Sequence, residues 1–234
     1  MFWWREQIAD GLWVGFTDST AGNLALHVGD EPETVGKHRR ALESALGIGG
    51  GGLRFMNQVH SANVGTVRPM EPTEGPAELD ALVSPAGDVP LGVMVADCLP
   101  VVFTADTGHG HATGVAHAGR RGLLGGVLVN TVRRLEAAGG SGVRAWIGPA
   151  ICGRCYEVPA SMQDEATAAL PELRSETSWG TPALDLPAGA AVQLASLGVA
   201  VQRVGGCTLE QPELFSYRRD HATGRFAGLV WTEA

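Results

Sequence analysis

The stretch Leu91-Gly-Val-Met-Val-Ala-Asp-Cys-Leu-Pro-Val-Val-Phe-Thr-Ala105 decides how this chain folds. Its two apolar runs, Leu91–Ala96 and Val101–Ala105, have the length of buried strands, and Asp97-Cys98 and Pro100 punctuate the space between them. Working outward, the same design recurs twice. Leu53–Val59 runs into His60-Ser61, and Ala112–Ala116 runs into His117-Ala118-Gly119. A sheet whose strands finish side by side would bring imidazole, thiolate and imidazole to one rim. That is the ligand set of a catalytic zinc, with three protein donors and a fourth position left open.

Further strands are expected at Leu12–Thr17, Val64–Arg68, Ala81–Ser84, Val143–Ile147, Val199–Val204 and Arg225–Trp231. Pro32–Leu46 reads as a helix, with Asp30 as its expected N-cap and Glu33 three residues later. Gly122–Ala138, Pro159–Leu170 and Asp185–Leu197 read as helices too. The glycine run Gly47–Gly52 has no Gly-Lys-Ser/Thr after it, so it reads as a flexible connector and not as a phosphate loop. Hairpin-length links mixed with helical crossovers predict an α/β (mixed α+β) fold, mixed β-sheets flanked by helices. The absence of repeats or linkers predicts one domain over residues 1–234.

The 234 residues, 44% hydrophobic, suffice for a sizeable core. A net charge of −8 argues against nucleic acid or an anionic membrane as partner, since both demand a basic face. No run approaches the length of a membrane span. Met1–Asp10 has no signal-peptide core, so the expected location is the cytoplasm, with reduced cysteines. Nothing points to an oligomer, and a monomer is the expected state.

Taken singly, His60, Cys98 and His117 read as capping or core residues; their shared place at expected strand ends is what favours a metal site. Asp97 adds a carboxylate that could orient a ligand, act as a general acid, or cap the turn before Pro100. Cys98 and His117 also allow a nucleophile–base pair with Asp97 orienting the imidazole. Arg120 and Arg121 sit at an expected helix start, where an anion pocket competes with plain solvent exposure. The polar arch Phe215–Arg225 reads first as an ordinary hairpin with exposed charge, and as a source of Arg218 for the same pocket in the alternative. Cys152-x-x-Cys155 lacks the second pair that a zinc knuckle needs, Cys207 reads as core, and His27, His38 and His221 belong to no group. His109-Gly-His111 is the only His-x-His pair, too little for a multicopper oxidase.

Five ordered motifs make the chain resemble a known family. They are Asn57-Gln-Val-His-Ser61; Ala96-Asp-Cys-Leu-Pro-Val-Val102; Ala116-His-Ala-Gly119 with Arg121-Gly122; Ile147-Gly-Pro-Ala-Ile151 with Tyr156-Glu-Val158; and Phe215-Ser-Tyr-Arg-Arg-Asp220. Together with Asn23–Asp30 and Arg39 they are similar to the YfiH-type, laccase-domain or peptidoglycan-editing-factor proteins over about residues 12 to 232. The resemblance implies a mononuclear zinc on His60, Cys98 and His117, and a purine nucleoside phosphorylase with adenosine deaminase activity. Its expected partners are purine nucleosides (adenosine, inosine, guanosine, methylthioadenosine) and phosphate. Phosphate is expected at Arg121 with Arg39 or Arg218, and Asp97 or a neighbouring acid is expected to protonate the departing purine. The same family also carries the alternatives of copper-dependent polyphenol oxidation and of a cysteine or metal hydrolase that edits peptidoglycan precursors. Two departures bear on substrate contacts: Arg120 replaces the usual tryptophan, and Thr17–Gly22 lacks the usual arginine.

Overall fold

The Asp97-Cys98 corner is where the chain passes from one sheet to another. The computed structural model describes residues 1–49, 52–69 and 78–233. Among these, β1 (Phe2–Ala9), β2 (Leu12–Thr17), β5 (Leu91–Val95) and β12 (Phe226–Thr232) form an antiparallel sheet in the order β1-β2-β12-β5. A second sheet takes β3 (Val64–Thr66), β4 (Ala81–Ser84), β6 (Leu99–Thr107), β7 (Gly110–Ala118), β8 (Ser141–Ile147) and β11 (Ala200–Arg203) in the order β11-β8-β6-β7-β4-β3. Its outer pairs β11·β8 and β3·β4 are parallel and the rest antiparallel, so the sheet is mixed, as expected. A small hairpin pairs β9 (Arg174–Glu176) with β10 (Pro182–Leu184).

Side-chain alternation stacks these sheets. In β6, Val102 points to the other sheet, where it joins Val14, Phe16, Val93 and Val230; Val101 and Phe103 point the opposite way, to the helices. Helices α2 (Arg120–Leu124), α3 (Val127–Ala137), α4 (Ala160–Ala169) and α5 (Leu186–Ser196) cover that far face, Leu128 and Leu135 of α3 being fully buried. Helix α1 (Pro32–Ala45) covers the outer face of the smaller sheet, where Leu42 meets Leu229 and Trp231. The order is therefore helix, sheet, sheet, helices. Burial of each such leucine contributes about 1.5–3 kcal/mol.

Four sequence expectations differ from the structure. The helix expected over Gly122–Ala138 is two helices, because Gly126 adopts a left-handed φ of 90° that ends one and starts the next. The N-cap of α1 is Glu31 rather than Asp30, and no side chain caps it. Strand β1 and the β9–β10 hairpin were not foreseen. Leu53–Val59 is not a strand: among the described residues its ladder is reduced to the isolated bridges Arg54↔Leu91 and Asn57↔Glu78. The Gln58 amide completes the pairing instead, donating to the Met94 carbonyl (2.7 Å) and accepting from the Met94 N–H (3.0 Å). Positions 50 and 51 of the expected connector lie outside the described residues.

Gln58→Ala would leave both Met94 backbone groups unpaired in a buried position, at a cost of about 1–3 kcal/mol. Urea unfolding should show that loss, and an unchanged midpoint would dismiss the amide as a strand substitute.

Candidate metal centre

His60, Cys98 and His117 meet at one end of the sandwich, and their donor atoms all lie within 4.8 Å of one another. Each arrives from a different crossing. His60 follows the bridged segment, Cys98 sits between β5 and β6, and His117 is the penultimate residue of β7, paired across the sheet with Pro100. Two of the corners are backbone-strained, His60 at φ 64° and Asp97 at φ 87°. Non-glycine residues hold such angles only where surrounding contacts impose them.

Asp80 imposes the first. It is fully buried, directly before β4, and its carboxylate accepts the backbone N–H groups of Val59, His60 (2.9 Å) and Ser61, as well as the Ser61 hydroxyl (2.8 Å). The same carboxylate bonds His117 Nδ1 at 2.8 Å, which turns Nε2 towards the other donors. A carboxylate on the far nitrogen is the usual support of a metal-ligating histidine. Asp80 was not among the residues singled out from sequence, where orienting a ligand was one of three roles open to Asp97. A lone acid with apolar neighbours, Leu79-Asp80-Ala81-Leu82-Val83, was the signal that could have found it.

His60 Nε2 stands 3.6 Å from Cys98 Sγ, and the two imidazoles meet edge-on with centroids 4.6 Å apart. Nitrogen and sulfur on a tetrahedral zinc, with bonds of roughly 2.05 and 2.3 Å, are about 3.6 Å apart. Burial works against a charge on the Cys98 thiol, but the positive His117 and hydrogen bonds from both histidines bring it down to about 6. Burial likewise opposes a charged His117, yet Cys98 and Asp80 push it up to about 9. For Asp80 too, burial is outweighed, by the bonds from His117 and Ser61, and its carboxyl falls to about 2. The contacts that lower the thiol and raise the imidazole favour negative charge on sulfur, the donor form a divalent cation needs. Gly119 leaves the room: a Cβ there would lie 2.6 Å from the His60 ring and 3.1 Å from Cys98 Sγ. The donors fit zinc.

A cavity of about 560 Å³ opens beside them. Its wall carries Arg120, Arg121, Arg218 and Arg225, with Asp97 the one carboxylate among the described lining residues. The volume lies within the roughly 300–1,000 Å³ of small-molecule pockets. Arg218 lies over the Tyr156 ring at 5.4 Å and donates from its side chain to the Glu157 carbonyl. Its backbone N–H binds one oxygen of Asp97 (2.7 Å), and Thr208 holds the other. Arg219 grips the adjoining arch, its guanidinium donating to the carbonyls of Thr208, Leu209, Gln211 and Leu214.

Arg39 does not reach the cavity. Its guanidinium is spent on the Leu24 carbonyl (2.7 Å) and over the Phe55 ring. His27, set aside from sequence, lines the wall, where burial and then the charges of Arg225 and Arg39 hold its imidazole below the ordinary value. Arg225 was also overlooked as a lining residue. His109 and His111 flank the far turn of the β6–β7 hairpin, the end opposite His117.

The family described as multi-copper polyphenol oxidoreductase laccase matches residues 14–233. The chain is 44% identical to a purine nucleoside phosphorylase of Streptomyces griseus, over 94% of this chain and 92% of that one. It is 42% identical to a purine nucleoside phosphorylase of Streptomyces coelicolor, over 98% and 99%. A solved Neisseria meningitidis protein superimposes with a TM-score of 0.82 at 34% identity, covering 97% of this chain and 96% of its own.

Two substitutions probe the centre. Asp80→Asn should weaken zinc binding by about 10–100-fold in a chelator competition, the usual cost of losing an outer-shell partner. Gly119→Ala keeps an ordinary backbone (φ −69°) but places its methyl against two donors, so it should lose zinc while its circular dichroism stays that of the parent. Full zinc loading of Gly119→Ala would rule out these three side chains as the metal centre.

Proposed function

The chain belongs to the multi-copper polyphenol oxidoreductase laccase family, and from that premise we propose that it is a zinc-dependent purine nucleoside phosphorylase. One observation carries the reading: three metal donors and four arginines share the wall of a single nucleoside-sized cavity. A zinc ion on His60, Cys98 and His117 would supply Lewis-acid stabilisation of negative charge at an open coordination position.

The chain's own residues account for the rest. Arg121, aided by Arg120 and Arg218, binds phosphate; a guanidinium fork matches its oxygens. The half-buried Tyr156 and the exposed Tyr217 give flat faces for a purine, and the neutral His27 a hydrogen-bond partner for it. Phosphate oxygen attacks the anomeric carbon, the carbon–nitrogen bond breaks with its electron pair going to the purine, and the purine takes a proton from the open side of the cavity. The products are ribose 1-phosphate and the free base. Fixed positive charge near the phosphate favours this charge movement. Both oxygens of Asp97 already accept hydrogen bonds, so we assign it to holding the arch and Arg218 rather than to proton delivery. Inosine, adenosine, guanosine and methylthioadenosine share the chemistry this cavity would bind. Adenosine deamination at the same centre is a further part of the proposal.

A second reading has a specific observation behind it. Cys98, His117 and Asp80 line up as nucleophile, base and orienting acid, which suits a cysteine hydrolase acting on a cell-wall precursor. The phosphorylase is preferred because a hydrolase triad has no use for His60 at 3.6 Å from the sulfur.

Incubation with inosine and phosphate should release hypoxanthine only when phosphate is present, and His117→Ala should lose turnover together with its zinc. Arg121→Ala, altering an exposed side chain, should raise the KM for phosphate at least about tenfold, the worth of one charge-assisted contact. Turnover that survives chelation and disappears on thiol alkylation would replace the phosphorylase by the hydrolase.

A further inference from the structure

Cys152, Cys155, Cys207 and Glu210 form a second cluster whose ligand atoms all lie within 4.8 Å of one another. In sequence, Cys152-x-x-Cys155 lacked a partner pair. The fold supplies it from over fifty residues away: Cys207 and Glu210 have the same two-residue spacing. The two segments also share one backbone turn. Cys155 and Tyr156 both donate their N–H groups to the Cys152 carbonyl at 3.0 Å, and Glu210 and Gln211 donate to the Cys207 carbonyl at 3.1 and 2.9 Å. The Ala150↔Cys207 bridge sets the turns side by side. Cross-contacts tie them further, the Cys152 N–H lying 3.4 Å from Cys207 Sγ and Cys155 Sγ 3.4 Å from Glu210 Oε1.

We propose that these four side chains bind a structural zinc ion, closed by three thiolates and one carboxylate. Two facing turns with x-x spacing are how structural zinc sites present tetrahedral donors. Thiolates around such an ion stand about 3.8 Å apart, so small side-chain rotations complete the site. Arg219, gripping the carbonyls of Thr208, Leu209 and Gln211, pre-forms the second turn and sets positive charge beside an anionic cluster. Binding releases the three thiol protons and forms no sulfur–sulfur bond. The ion would pin Ile151 and Tyr156, on the cavity wall, to the strand-like turn that bears Thr208 and through it Asp97. This assignment stands whether or not the chain is a phosphorylase.

The test is zinc stoichiometry on the full chain, kept reduced. Native mass spectrometry of the parent should show two zinc ions per chain, and Cys98→Ala should retain one. Cobalt(II) in the Cys98→Ala protein should give a strong thiolate charge-transfer band, absent in Cys98→Ala combined with Cys207→Ser. Glu210→Gln alters an exposed side chain and should weaken that cobalt site without removing the band. Alkylation should spare Cys152, Cys155 and Cys207 of the zinc-loaded parent and modify them after chelation. One zinc per chain in the parent, with those three thiols open to alkylation, overturns the proposal. So does a charge-transfer band that persists in Cys98→Ala combined with Cys207→Ser.

Discussion

The architecture of the site rests on one buried carboxylate. Asp80 joins the segment before β3, the start of β4 and the end of β7, three pieces of chain that sequence separates by tens of residues. A carboxylate removed from water is costly unless its lone pairs are filled, and here backbone amides, a hydroxyl and an imidazole fill them. The same bonds that make its burial tolerable also force His60 into a left-handed conformation and select the His117 tautomer. Stability and ligand geometry therefore come from one set of contacts, and neither can be altered alone.

The layered sandwich explains why the donors gather at its rim. Within each sheet, side chains alternate between two apolar layers, which leaves no interior position for an imidazole or a thiolate with an open side. Where the chain steps between sheets that alternation lapses. His60 and Cys98 occupy two such steps and His117 the last turn of strand before a helix. Strain at His60 and Asp97 is confined to the same rim.

Much of this was legible in the residues. Apolar runs ending in His, Cys and His pointed to a shared site because strand ends are where a sheet can present polar groups together. The mixed sheets and most helices followed from periodicity and punctuation. What escaped had non-local causes. Leu53–Val59 has a strand's composition, but a side-chain amide fills the place of part of its ladder. The break at Gly126 depends on a left-handed angle that composition alone does not demand. Asp80 and His27 act through partners distant in the chain, and Arg39 is drawn away by a carbonyl that only the fold brings near. The pairing of Cys152-x-x-Cys155 with Cys207-x-x-Glu210 was hidden for the same reason, since a carboxylate in the fourth place disguises the repeat.

The arch beside the cavity carries a consequence for recognition. Because the Arg219 guanidinium already holds four main-chain oxygens, that wall has surrendered its freedom before any ligand arrives. A guest entering there meets a rigid mould and need not spend part of its affinity on freezing a loop. Discrimination between related guests then falls to shape and charge at the surface of the mould, where Arg120, Arg121 and Arg218 stand, and small changes at those positions would redirect selectivity without disturbing the frame.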